Sequence, residues 1–232
     1  MKTIGLIGGM SWESSIEYYR IINETVKENL GGLHSAKSIM YSFDFYEIEI
    51  LQEQGKWEEI GNLMVEAAQN LELYGAELII LCTNTIHLVS DSIQSNISIP
   101  LIHIVDATAE KIKETRIQKI GLIGTKFTME SDFFKRKLEY RYNLSVLVPE
   151  MQERQVIHDI IFKELVLGEI KEKSKLKYLK IIKQLEKKGA EGVILGCTEI
   201  PLLITQQDAD IPLFDTTTIH AKAAVMYALA DN

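Results

Sequence analysis

The chain has 232 residues, a formal net charge of −8, 46% hydrophobic and 25% charged residues, and two cysteines. That length buries a sizeable core in one or two domains. No apolar run reaches the roughly 18 residues of a membrane span, and the acidic balance argues against nucleic acid as a partner. Cys82 and Cys197 are too few for a disulfide framework, so both are expected as reduced thiols in the cytoplasm.

Taken in chain order, the first element is Ile4–Ile7, a short apolar run of the kind that forms a strand covered on both faces. Gly5, Gly8 and Gly9 interrupt the apolar stretch, which reads as a buried strand and not a signal peptide. The same glycines lack the spacing of a dinucleotide-binding loop. A helix is expected to start at Ser11, its N-cap, with Ile16, Tyr19, Ile22 and Val26 facing inward. Ser38–Phe43 is strand-like. Trp57 to Tyr74 predicts a second amphipathic helix, with Ile60, Leu63, Met64, Ala67 and Leu71 inward and Gly75 as its stop. Leu78–Leu81, Ile120–Ile123 and Val193–Leu195 are further buried strands. Between the last two, lysines crowd residues 171–188, but Leu176, Leu179, Ile182 and Leu185 recur among them. An amphipathic helix with a solvated lysine face accounts for this.

The chain repeats itself. Ile4-Gly5-Leu6-Ile7-Gly8 recurs as Ile120-Gly121-Leu122-Ile123-Gly124, an offset of 116. Gly75-Ala76-Glu77 recurs as Gly189-Ala190-Glu191, an offset of 114, and Ile99-Pro100-Leu101 as Ile211-Pro212-Leu213, an offset of 112. Three matches in the same order predict two copies of one α/β architecture with mainly parallel sheets. The expected arrangement is two similar lobes related by a pseudo-twofold, with the active site in a cleft facing the carboxyl ends of both sheets.

At the offset of 114, Thr83-Asn84-Thr85 aligns with Cys197-Thr198-Glu199, and each cluster directly follows a buried strand. Strand alternation sends Cys82 and Thr83 in different directions. Taken singly, each cluster is also readable as an N-capping turn, since Thr and Asn are natural caps. Their matched occurrence in both copies favours a site. The histidines at 34, 87, 103, 158 and 220 include no metal-ligand pair at helical spacing, so no metal is expected, and no lysine context marks a Schiff-base site. His87, one turn past the first cluster, is either a structural histidine or one that tunes that cluster.

These residues, with Gly8-Gly9-Met10-Ser11-Trp12-Glu13-Ser14, carry a resemblance to the aspartate/glutamate racemase family over essentially the whole chain. Members typically have cysteine directly before the Asn of the first cluster; here Thr83 stands there, so the chain resembles the aspartate/glutamate-specific branch with threonine at that position. The resemblance implies a pyridoxal-independent racemase of a small acidic amino acid, with Thr83 and Cys197 as the catalytic pair and Cys197 facing the L-enantiomer. It also implies a homodimer, substrate contact by Met10 and more weakly by Gln52, and lobes of 1–98 plus 213–232 and of 99–212.

Racemisation takes a proton from one face and returns one to the other, so two opposed acid–base groups are the natural solution. Asn84, Thr85 and Thr198 are suitable donors for a substrate carboxylate. Helix N-termini after both clusters would attract the anion and lower the Cys197 pKa. Glu199 either orients the substrate ammonium or supports the site structurally. Met10 reads alternatively as a core methionine, and Thr125, at the position of Gly9, is a weaker lining residue beside a solvated Lys126. Other readings on the same residues are a carbon–carbon lyase of the arylmalonate decarboxylase type, a cis–trans isomerase of the maleate isomerase type, or a non-catalytic binder of acidic amino acids.

Overall fold

In the computed structural model, which describes residues 1–230, β1 (Ile4–Gly8) is buried along its whole length. It is followed by α1 (Trp12–Leu30), β2 (Ser38–Ser42), α2 (Phe45–Glu53), α3 (Trp57–Leu73) and β3 (Leu78–Leu81). A 3-10 turn at Thr85–Val89 leads into α4 (Ser90–Gln94), and α5 (Ile104–Lys113) precedes β4 (Lys119–Gly124). After β4 come α6 (Lys126–Glu130), α7 (Asp132–Arg136), β5 (Ser145–Leu147), α8 (Met151–Lys163) and α9 (Glu172–Lys187). The chain closes with β6 (Gly192–Gly196), β7 (Leu213–Asp215) and α10 (Thr216–Leu229). No helix among the described residues is long and apolar enough to cross a membrane.

The chain divides into two units. The first holds Met1–Ile104 and the residues from Thr217 onward; the second is Val105–Thr216. Each is an α/β unit with a parallel sheet, ordered β2-β1-β3 in the first and β5-β4-β6-β7 in the second. The sequence places the divisions near 98 and 213, and the sheets show why they fall later. Leu101 bridges Ile79 and so stays with the first sheet, whereas Leu213, Phe214 and Asp215 pair with β6 in the second.

The internal repeat is reproduced bond for bond. The Ile79 amide donates to the Pro100 carbonyl at 2.8 Å, and the Val193 amide to the Pro212 carbonyl at 2.9 Å. Glu77 and Glu191 each donate an amide to the start of the central strand, to Thr3 and Lys119 respectively, both at 2.8 Å. Their carboxylates accept amides in return, from Thr3 at 2.7 Å and from Lys119 at 2.9 Å. Gly75 and Gly189 end the preceding helices at φ 96 and 94, the left-handed conformation in which a Cβ is penalised.

Each unit has its own core. In the first, β1 and β3 send alternate side chains to opposite faces. One face packs against α3 through Ile60, Met64, Ala67 and Leu71; the other packs Leu6 and Ile80 with Tyr18, Ile22 and Val26 of α1 and with Ala221 and Ala224 of α10. Helix α3 thus buries the stripe that its periodicity predicts, with Leu63 half-buried at the margin.

Helix α1 is turned from the predicted orientation. Ile16 and Tyr19 are 52% and 53% exposed, and Tyr18 and Ile21 take the inner face with Ile22 and Val26. Apolar residues lie on more than one side of this helix, so its periodicity admits two solutions. The buried Tyr18 hydroxyl, 2.8 Å from His220 Nδ1, belongs to the one the fold adopts. In α9, Tyr178 and Ile181 similarly take inner positions beside Ile182 and Leu185, and Leu176 is exposed.

Candidate active site

Two strand ends carry the residues that the sequence singles out. In the first unit β3 ends at Leu81, and the Cys82 amide still donates to Ile7 at 2.9 Å. The Cys82 side chain lies in the apolar cluster with Ile4, Leu6 and Tyr18, where burial pushes its thiol pKa far up. Thr83, Asn84 and Thr85 follow, all buried, at the entry to the 3-10 turn. His87 folds back from that turn and its Nδ1 lies 2.8 Å from the Thr83 carbonyl.

In the second unit β6 ends at Gly196, and Cys197, Thr198 and Glu199 follow it into the 3-10 turn Ile200–Leu202. All three are buried. The Cys197 thiol donates to Glu199 Oε2 at 3.0 Å, and the Thr198 hydroxyl donates to the same oxygen at 2.9 Å. Burial first, and then the Glu199 charge and hydrogen bond, raise the Cys197 pKa well above that of an ordinary thiol. This corrects the expectation of a lowered pKa. A short 3-10 turn supplies little dipole, and a carboxylate two residues away outweighs it.

The remaining sequence candidates divide. The Met10 side chain is buried in the core cluster with Ile7, Ile48 and Ile60, the packing that the core reading of this residue expects. Gln52 lies half-buried in the last turn of α2. Thr125 caps α6, its hydroxyl accepting the Thr128 amide at 3.2 Å, as Ser11 caps α1 by accepting the Ser14 amide at 3.4 Å. Thr125 therefore corresponds to Ser11 and not to Gly9: the first copy has two extra residues, Gly9 and Met10, between strand and cap. Among the described residues no group of three or more His, Cys, Asp and Glu could hold a metal ion.

Sequence reasoning assigns no partner to two features that geometry supplies. One is the thiol–carboxylate contact within the second cluster. The other is the histidine group behind the first, where His87 lies 4.7 Å from His103 and 5.4 Å from His220 between ring centroids. The i to i+4 spacing from Thr83 to His87 is a usable signal for part of it.

The family model described as Asp/Glu/Hydantoin racemase matches residues 7–224 of the chain. A crystal structure from Yersinia pestis, described as a candidate Asp/Glu racemase, is 53% identical with a TM-score of 0.93, over 99% of this chain and 100% of that one. An aspartate racemase homologue from Pyrococcus horikoshii is 40% identical with a TM-score of 0.86, over 98% of this chain and 99% of that one. A broad-specificity amino-acid racemase of Bacillus subtilis is 24% identical over 177 residues, covering 75% of this chain and 74% of that protein.

Proposed function

Because the chain belongs to the Asp/Glu/Hydantoin racemase family, we propose that it racemises a small acidic amino acid, aspartate or glutamate, by proton transfer without pyridoxal phosphate. The observation that carries this reading is the pair of buried polar clusters, Thr83-Asn84-Thr85 and Cys197-Thr198-Glu199, at equivalent strand ends of a duplicated unit. A duplication supplies one acid–base group per copy, which is what a two-face proton transfer requires.

In this mechanism Cys197 is the base toward the L-enantiomer. Its proton passes to Glu199 Oε2, already its hydrogen-bond acceptor at 3.0 Å. That step leaves the pair with a single negative charge, as before, so no new charge is created in a buried place. The thiolate then takes the α-proton, and the Thr83 hydroxyl delivers its own proton to the opposite face of the carbanion. Water gives Thr83 its proton back, and the hydroxide left behind takes the proton held by Glu199. Cys197 keeps the abstracted proton, so the thiol–carboxylate pair ends as it began. Donors from Asn84, Thr85 and Thr198 hold the substrate carboxylate and stabilise the developing charge. Glu199 acts here on the thiol, in place of the ammonium contact considered from the sequence. Met10 and Gln52 enter this reading as substrate contacts on the strength of the resemblance, Met10 through its main chain.

Chiral analysis of a panel of L- and D-amino acids, in heavy water with chelator present, tests the reading. Acidic substrates should lose chirality and gain one deuterium at the α-carbon. Turnover that requires added pyridoxal phosphate or a metal would refute it. Serine at Cys197 should abolish exchange and leave binding measurable, which separates an enzyme from a binding module.

We also propose that the working form is a homodimer. Trp12, Ile16 and Tyr19 line one side of α1 at 62%, 52% and 53% exposure, an apolar stripe of the kind that interfaces cover. Light scattering should give twice the chain mass, and Trp12→Glu with Tyr19→Glu should give a monomer. A wild type that stays monomeric at high concentration would end this part of the reading.

A further inference from the structure

The mechanism above leaves a buried titratable side chain beside the first cluster unused. The Ile104 amide donates to His87 Nε2 at 3.2 Å. Nε2 therefore holds the lone pair, and Nδ1 carries the proton that it donates to the Thr83 carbonyl, 2.8 Å away. The ring is thus the neutral Nδ1–H tautomer. The His87 amide also donates to the Asn84 carbonyl at 3.2 Å. One residue consequently fixes two successive carbonyls.

Peptide planarity extends that hold. In a trans peptide the C=O and the following N–H point in opposite directions. Fixing the carbonyls of Thr83 and Asn84 therefore fixes the amides of Asn84 and Thr85, both aimed away from the histidine. We infer that His87 is a positioning residue for racemisation: as a neutral bridge between Thr83 and Ile104, it aims the Asn84 and Thr85 amides at the substrate carboxylate. The inference rests on the reading of this cluster as the substrate-facing half of the site.

The surroundings keep the bridge intact. An imidazolium would set a second N–H against the Ile104 amide, donor against donor. Of the neighbouring rings, His220 accepts the Tyr18 hydroxyl at Nδ1 and donates from Nε2 to the Ile102 carbonyl at 2.7 Å. Its burial lowers its pKa to about 4, so it too stays neutral near physiological pH. Ile104 is the last residue of the first unit, so the bridge ties the cluster to the point where the chain leaves that unit.

Two substitutions separate aiming from packing. The amide nitrogen of asparagine occupies nearly the place of His Nδ1, whereas the polar end of glutamine occupies nearly that of Nε2. His87→Asn keeps the donor to Thr83 and loses Ile104; His87→Gln does the reverse. With kcat and KM measured in both directions on folded protein, His87→Asn should hold KM within about 3-fold of wild type. His87→Gln should raise KM about tenfold, with a smaller change in kcat, the loss expected for a hydrogen bond worth about 1.4 kcal/mol. Equal KM values for the two variants, or wild-type KM in both, would overturn the inference. Nitrogen NMR of the wild-type ring is a readout independent of activity: Nδ1 should be protonated and Nε2 bare, and the opposite tautomer would also overturn it. A wild type that exchanges no α-proton would count against the racemase reading alone, leaving the tautomer to decide the bridge.

Discussion

A thiol that donates to a buried carboxylate is at rest an acid and not a base, and this sets the pH behaviour of Cys197. Burial and the Glu199 charge both disfavour the thiolate, so the thiolate fraction of the free protein grows only on the alkaline side of an ordinary thiol. Alkylation of Cys197, followed in a Cys82→Ser background, should therefore be slow at neutral pH and speed up as pH rises. Glu199→Gln removes the repelling charge and offers an amide donor, so the alkylation profile should shift to lower pH. The same change removes the proton acceptor, so kcat should fall by about tenfold or more. An unmoved alkylation profile would show that Glu199 does not govern the thiol. Both residues of this pair are visible in the sequence, but their contact is not. Spacing at i and i+2 after a strand does not fix side-chain direction, and the Glu199 carboxylate outweighs any dipole of the turn at the thiol. Thr83 and Cys82 are separable because strand alternation is local, and Cys82 does pack into the apolar cluster beneath the sheet.

At the level of elements, the turn from β1 into α1, which carries Met10 and Ser11, is tightly constrained at Gly9. Gly9 has φ 88, and a Cβ there would meet the Phe43 carbonyl oxygen at 2.1 Å and its nitrogen at 2.6 Å. Both are backbone atoms of the segment following β2, which cannot swing aside as a side-chain tip would. Gly75 has a similar φ of 96 but nothing within 4 Å of its Cβ position. Gly75→Ala should then cost only the left-handed conformation, about 1 kcal/mol. Gly9→Ala adds the clash and should cost at least about 3 kcal/mol. Urea denaturation measures both, and comparable losses would show that the turn at Gly9 relaxes. The strands are legible in the sequence because continuous apolar runs have no alternative face to choose. Helix α3 is legible because its apolar residues form a single stripe. Helix α1 is not, since Ile16 and Tyr19 compete with Tyr18 and Ile21. The face that is buried is the one whose residues pack with the strands and with α10, Tyr18 against His220 among them.

For the whole molecule, the duplication is legible in the sequence because Gly75 and Gly189, Glu77 and Glu191, and Pro100 and Pro212 repeat a set of backbone bonds as well as a set of letters. The unit boundaries are not, because pairing of Leu101 and of Leu213 with a neighbouring strand is a tertiary choice. The two copies share an architecture but not a reactive group: thiol with carboxylate in one, hydroxyl in the other. A threonine hydroxyl is a far weaker acid than a thiol, so its alkoxide is scarcely available near neutral pH. It can protonate a strongly basic carbanion but is a poor base for starting the reaction. We predict that kcat from the L-enantiomer greatly exceeds kcat from the D-enantiomer. The racemisation equilibrium constant is one, so kcat/KM must nevertheless be the same in both directions, and the asymmetry has to appear as a correspondingly lower KM for the D-enantiomer. Thr83→Cys supplies a second thiol base and should raise the D-to-L kcat by about tenfold or more. Full progress curves from each enantiomer, fitted for kcat and KM, decide the matter. Equal kcat values for the wild type, or a Thr83→Cys variant with no gain from the D side, would mean that Thr83 is not the group on that face.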